Sequence, residues 1–201
     1  MYNFMPVLAA LSRVVLVFSV TFFVPWAWSW WGDEHRLQEV WLLSFAVTFI
    51  CGALVMWRTQ RHRRELMPKD GFMLVNLVWA VLPAFAALPL WLGIPEMDWT
   101  DAYFEAVSGL TATGATVLSG LDELPLAINV WRCFLQLFGG LGIMLLVVAI
   151  LPLLGLGGVQ LYKAETPGPM KDAKLTPRIA ETARGLWGVY FVLSTSCFLA
   201  Y

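Results

Sequence analysis

The sequence is short of the residues that water-facing chemistry uses. Only 13% of its 201 residues are charged, about half the ~25% usual in soluble domains, which excludes an ordinary solvated surface. It has three cysteines, Cys51, Cys133 and Cys197. Their odd number and wide spacing argue against a disulfide framework and suggest buried structural thiols. There are two histidines, His35 and His62, which fall on opposite membrane faces in the topology below and so cannot share a metal. No P-loop is present, and no strand runs into G-x-G-x-x-G, so the chain has no nucleotide site of its own. No Ser/His/Asp or metal-ligand spacing falls within one apolar run. An intramembrane enzyme would carry ionisable groups deep in its helices, and apart from Arg13 these runs have none at mid-depth. The chain therefore reads as no enzyme, with no catalytic residue and no organic cofactor, and nothing marks it for nucleic acid.

What is abundant points to lipid. The residues are 59% hydrophobic and include eleven tryptophans, and the mean hydropathy is +0.70. Tryptophan gathers at the lipid–water interface; here Trp26, Trp28, Trp30 and Trp31 close the first apolar run, Trp41 opens the second and Trp57 ends it. Four complete spans are predicted, at residues 7–31, 40–57, 72–92 and 128–154, and a fifth starts near Gly185 and is cut by the chain end. Each complete run approaches the ~20 residues that cross a hydrocarbon core. Pro83 and Pro89 kink or end the third, which a bundle tolerates. The first run is too long for a signal h-region, lacks a basic n-region and has no A-x-A-like site after it. It reads as a retained helix with Arg13 snorkelling to one face.

The basic residues set the orientation. Arg58, Arg61, Arg63, Arg64 and Lys69 lie between the second and third spans, and Lys163, Lys171, Lys174, Arg178 and Arg184 after the fourth. By the positive-inside rule these loops and the N-terminus are cytoplasmic. The opposite loops hold Arg36 and Arg132 with a surplus of carboxylates, among them Glu96, Asp98, Asp101, Glu105, Asp122 and Glu123. Such a surplus raises the local cation concentration, although most of these groups taken singly are ordinary solvated charges. Arg132, beside Trp131, reads as an interfacial anchor.

Between the third and fourth spans lies Asp101-Ala-Tyr-Phe-Glu-Ala-Val-Ser-Gly-Leu-Thr-Ala-Thr-Gly-Ala-Thr-Val117. It is too short and polar to cross a bilayer. Asp98 or Asp101 suits the N-cap of a short helix and Glu105 the positive end of its dipole, and Ser108-Gly109 would end that helix. Thr111-Ala112-Thr113-Gly114 then forms an extended stretch with small side chains. Irregular backbone at membrane depth is tolerated only where protein buries it or where it lines a cavity, and rings of carbonyls are how cation filters replace an ion's hydration shell. The plain alternative is a Gly/Thr-rich outer turn. In the fourth span, Gly139, Gly140 and Gly142 suggest close helix packing or a gating bend, and Gly155, Gly157 and Gly158 a joint at its exit.

The run Tyr103-Phe-Glu-Ala-Val-Ser-Gly-Leu-Thr-Ala-Thr-Gly-Ala-Thr-Val-Leu-Ser-Gly-Leu-Asp122 resembles the first pore loop of the Trk/Ktr/HKT potassium transporters, their TrkH/TrkI-type branch in particular. Gly139-Gly-Leu-Gly142, Ala149-Ile-Leu-Pro152, Ala164-Glu-Thr-Pro-Gly-Pro169, Lys174-Leu-Thr-Pro-Arg178 and Thr182-Ala-Arg184 extend the resemblance over most of the chain. It implies an all-α integral membrane fold built from helix–pore-loop–helix repeats, each with a re-entrant filter loop, preceded by two extra transmembrane helices. Residues 1–66 would be the two-helix segment with its basic loop, 71–154 the first repeat, 155–184 a cytoplasmic linker and 185–201 the opening of a second repeat. On this resemblance the chain is an N-terminal portion supplying one of four filter strands. Backbone carbonyls of Thr111, Ala112, Thr113 and Gly114 would bind the potassium ion, with Asp122 and Glu123 a weaker choice for the outer mouth. Ala112 departs from the family, whose members often carry Thr there; because the carbonyl coordinates, Ala is expected to be tolerated. The implied partners are the lipid bilayer, a nucleotide-binding TrkA-type regulatory subunit docking at the cytoplasmic loop, and a second copy in a homodimer. The implied location is the bacterial inner membrane, multi-pass. The alternatives that stay open are a scaffold subunit without a pore of its own and a homotetrameric channel of the short chain.

Overall fold

Runs of apolar residues with few charges can satisfy their backbone in lipid only as helices, and helices are what form. The structure, a computed structural model, describes residues 4–60, 68–153 and 175–200, and among these there is no strand. The helices are α1 (Met5–Ser19), α2 (Phe23–Trp31), α3 (His35–Thr59), α4 (Pro68–Ala86), α5 (Leu88–Gly93), α6 (Trp99–Leu110), α7 (Leu126–Leu153) and α8 (Leu175–Ala200). Among the described residues five stretches are long and apolar enough to cross a membrane: Met5–Trp31, His35–Thr59, Lys69–Gly93, Leu126–Met144 and Glu181–Ala200. They coincide with the expected spans to within a few residues at most ends. The first is continuous apart from a 3-10 turn at Val20–Phe22.

The chain forms two compact units, Met1–Phe138 and Gly139–Tyr201. The core of the first is aromatic. Phe22 stacks on Trp131 with ring centroids 4.9 Å apart, and Trp41 meets the same indole edge-on at 5.6 Å. Trp41 and Trp131 are fully buried, and each indole N–H has an acceptor, as buried tryptophans require. Trp41 donates to the Ser29 hydroxyl at 2.8 Å, tying α3 to α2. Trp131 donates to the Ala86 carbonyl at 3.0 Å, tying α7 to the end of α4.

That carbonyl is available because the third span breaks at Ala87. Pro89 has no N–H, and its ring crowds the Phe85 carbonyl four residues back, so α4 stops at Ala86 and α5 restarts at Leu88. Pro83, by contrast, sits inside α4 without ending it. Arg13 is exposed and shares a cleft with Ala9, Met56, Thr59 and Gln60 at the end of α3.

One expectation needs correction. All three cysteines are exposed on the chain's surface rather than buried, since an apolar side chain on a spanning helix needs no protein cover. The last helix begins at Leu175 and its membrane-length stretch at Glu181, close to the expected start near Gly185, so the end of the expected linker 155–184 is helical; Pro177 falls in the first turn, where its missing N–H costs nothing. The rest of that linker, including Gly155, Gly157, Gly158 and Thr166-Pro-Gly-Pro169, lies outside the described residues, as does His62. In the second unit, a Cβ on Gly140 would fall 2.5 Å from the Tyr190 hydroxyl oxygen, which favours close packing as the reason for that glycine.

Candidate functional site

The site is built on α6 and the irregular segment that follows it, expected as an extended stretch but turned twice by left-handed residues, a strand in path and not in β-structure. Asp98 occupies the N-cap in extended geometry, without a side-chain capping bond. Asp101 lies in the first turn, where a carboxylate complements the positive end of the helix dipole. Ala102, Glu105, Ala106, Ser108, Gly109 and Leu110 form the buried face. Gly109 belongs to this face for steric reasons: a Cβ there would lie 2.9 Å from the Leu135 Cβ on α7. Its role is therefore close approach of two helices. It does not end α6, as the sequence suggested, because the helix continues through Leu110.

The helix ends one residue past Leu110 in a Schellman motif. The Ala112 N–H donates to the Gly109 carbonyl and the Thr113 N–H to the Ser108 carbonyl, both at 2.9 Å, which is the paired pattern that closes a helix C-terminus. The motif needs a left-handed residue at its first position outside the helix. Glycine is usual there; here it is Ala112, with φ 53°. Gly114 is left-handed again at φ 76°, so two reversals of hand fall within three residues.

The consequence for Thr111, Ala112, Thr113 and Gly114 is an imbalance of donors and acceptors. The N–H groups of Thr111, Ala112 and Thr113 all turn back to the helix. The Thr111 hydroxyl bonds to the Val107 carbonyl at 2.8 Å and lies 2.7 Å from the Thr113 hydroxyl. Among the described residues no donor reaches any of the four carbonyls. The next carbonyl, that of Ala115, is taken by the Ser108 hydroxyl at 2.6 Å.

Beyond Ala115 the strand is held from behind. The Glu105 carboxylate is 3% exposed. It accepts the Val117 N–H at 2.7 Å and the Thr116 hydroxyl. Its other oxygen meets Arg132 Nε of α7 at 3.2 Å, and Arg132 Nη2 donates to the Thr116 hydroxyl at 3.2 Å. A buried charge is expected to be paired and fully hydrogen-bonded, and this one is.

Sequence reasoning missed this pair. It set Glu105 among the outer loop charges and Arg132 at the interface as an anchor; in the fold both face the strand. The available signal was register, since Glu105 lies three residues from Ala102 and four from Gly109, on the small-residue packing face of α6. Asp122 and Glu123 are exposed on the 3-10 turn Leu121–Glu123. Among the described residues no cluster of three His, Cys, Asp or Glu side chains could hold a metal ion.

Residues 37–201 match the family model described as "TrkH: Cation transport protein". The chain is 54% identical over 159 residues to the "Trk system potassium uptake protein TrkH" of Vibrio parahaemolyticus, covering 79% of this chain and 33% of that one. It is 46% identical over 196 residues to the protein of the same name from Halomonas elongata, covering 97% and 40%. It is 39% identical over 189 residues to the "Trk system potassium uptake protein TrkG" of Escherichia coli, covering 94% and 39%. The chain thus spans 33% to 40% of the length of these relatives. Its fold matches the crystal structure of the potassium transporter TrkH from Vibrio parahaemolyticus with a TM-score of 0.77 at 40% identity, over 97% of this chain and 38% of that one.

Proposed function

This chain belongs to the TrkH family of cation transport proteins, and from that premise we propose that it takes part in potassium uptake across the bacterial inner membrane by supplying one of four filter strands of a pore. The coordinating groups are the carbonyls of Thr111, Ala112, Thr113 and Gly114. The observation that carries the reading is the run of four carbonyls without a donor, placed directly after a helix C-terminus. A dehydrated cation needs oxygen ligands in place of its water. The negative end of the α6 dipole adds about half an elementary charge of favourable potential there.

The remaining assignments follow from the same reading. Residues 71–154 form the first helix–pore-loop–helix repeat with a re-entrant loop, and the two helices before it are the family's extra pair. Residues 185–201 open the second repeat. The N-terminus and the basic segments are cytoplasmic, and the outer carboxylates, Asp122 and Glu123 included, enrich cations at the mouth. The linker 155–184, most of which lies outside the described residues, is the docking face for a nucleotide-binding TrkA-type subunit, and the intact protein works as a homodimer.

The test is rubidium or potassium uptake by the intact gene product in uptake-deficient cells, with sodium as competitor. At matched membrane expression, Gly114→Ser is expected to lose uptake or potassium preference. Within this chain a Cβ has room, its nearest neighbour being Gln136 Nε2 at 3.8 Å; the strain comes from the left-handed backbone at φ 76°, which glycine adopts at no steric cost. Equal and selective uptake by wild type and mutant overturns the filter assignment.

A further inference from the structure

The strand Thr111–Gly114 is suspended between two anchors of different kinds. At its inner end the Schellman bonds fix the N–H groups of Ala112 and Thr113 to the end of α6, and this anchor is all backbone. At its outer end the anchor is made of side chains. Ser108 Oγ holds the Ala115 carbonyl, and Glu105 holds the Thr116 hydroxyl and the Val117 N–H. Arg132 reaches from α7 to both Glu105 and Thr116.

We propose that Glu105 and Arg132 are a positioning pair that sets potassium-over-sodium preference by fixing the outer end of the filter strand. Neither residue is assigned an ion contact; both act through Thr116 and Val117. The inference rests on the filter reading above.

The chemistry explains why a charged pair is used. Thr116 and Val117 are exposed within this chain, so no side chain of its own packs over them. What holds them is a buried carboxylate that accepts from three partners, and hydrogen bonds to a charged group are about twice as strong as neutral ones. The guanidinium fork bonds the carboxylate through Nε and the threonine hydroxyl through Nη2, so it fixes the angle between the strand and α7 as well as the distance. A strand so held resists closing around an ion smaller than its preferred one. Freed at its outer end, it would adapt to sodium.

The test uses the intact gene product in uptake-deficient cells, with rubidium uptake measured against sodium competition for wild type, Gly114→Ser, Glu105→Gln, Thr116→Val and Thr116→Ser. Glu105→Gln removes the charge while keeping the shape. Thr116→Val removes the hydroxyl at an exposed position, so it reports on the clamp even if the Glu105 variant fails to reach the membrane. The expected result is a fall of about tenfold in potassium preference for both, the effect of losing one charged hydrogen bond, with a smaller change in maximal rate. Thr116→Ser, which keeps the hydroxyl, should restore preference. Loss of preference in Gly114→Ser with wild-type preference in Thr116→Val overturns the clamp and leaves the filter reading standing. Wild-type preference in every variant, Gly114→Ser included, overturns both.

Discussion

Ala112 is the residue at which local energy and position disagree most plainly. An L-residue in the left-handed region costs roughly 1–2 kcal/mol, and Ala112 sits there at φ 53° because the helix-closing motif demands that hand. Ala112→Gly should therefore stabilise the protein by about 1 kcal/mol, measured as a raised unfolding midpoint in detergent. A β-branched residue at the same position should lower it. Arg132→Ala acts the other way. Removing one partner of a buried ion pair costs about 3–5 kcal/mol, with the lower end expected here because the Arg132 side chain is 18% exposed. The same unfolding measurement, beside that of Arg132→Lys, checks it; the lysine variant should recover part of the loss. Little of this was legible in the sequence. Hydropathy marked Thr111–Gly114 as the odd segment between two spans, but the hand of Ala112 follows from where α6 stops, and the sequence suggested that it stops earlier. Register alone could have put Glu105 on the packing face of α6, but its partner Arg132 lies 27 residues away in sequence, and no local pattern names it.

Among elements, α6 approaches α7 closely at Gly109. Gly109→Ala places a Cβ 2.9 Å from the Leu135 Cβ, an atom fixed to its backbone that cannot rotate away. Overpacking of this kind costs about 1–3 kcal/mol, read as a lowered unfolding midpoint in detergent. The break between α4 and α5 offers a second measurement. Trp131→Phe keeps most of the aromatic contact with Phe22 and Trp41 but leaves the buried Ala86 carbonyl without its donor. The expected cost is about 1–3 kcal/mol, read from thermal unfolding. Here the sequence was informative: Pro89 marked the break, and the alternation of apolar runs with polar loops marked every span. Element ends were less legible, since α8 begins at Leu175 and a proline in its first turn reads at first as a loop.

At the scale of the whole molecule, composition carried most of the argument. A low share of charge, a high share of apolar residues and tryptophans at the run ends placed the chain in a membrane before any motif was considered. The misread cysteines follow from the same fact. A rule learned from water-soluble proteins puts thiols inside, whereas Cys51, Cys133 and Cys197 lie on helix surfaces. Their exposure also bears on the test of orientation. In a cysteine-free background, Asp122→Cys should react in intact cells with a membrane-impermeant maleimide, while Arg58→Cys should react only after permeabilisation. The opposite pattern would reverse the topology inferred from the basic segments.

The bonds that shape the candidate filter strand all lie within residues 105–132. Contacts so close in sequence form early, because little chain entropy is lost in closing short loops. The strand can therefore take its native curvature as soon as α6 and α7 have left the ribosome and entered the bilayer.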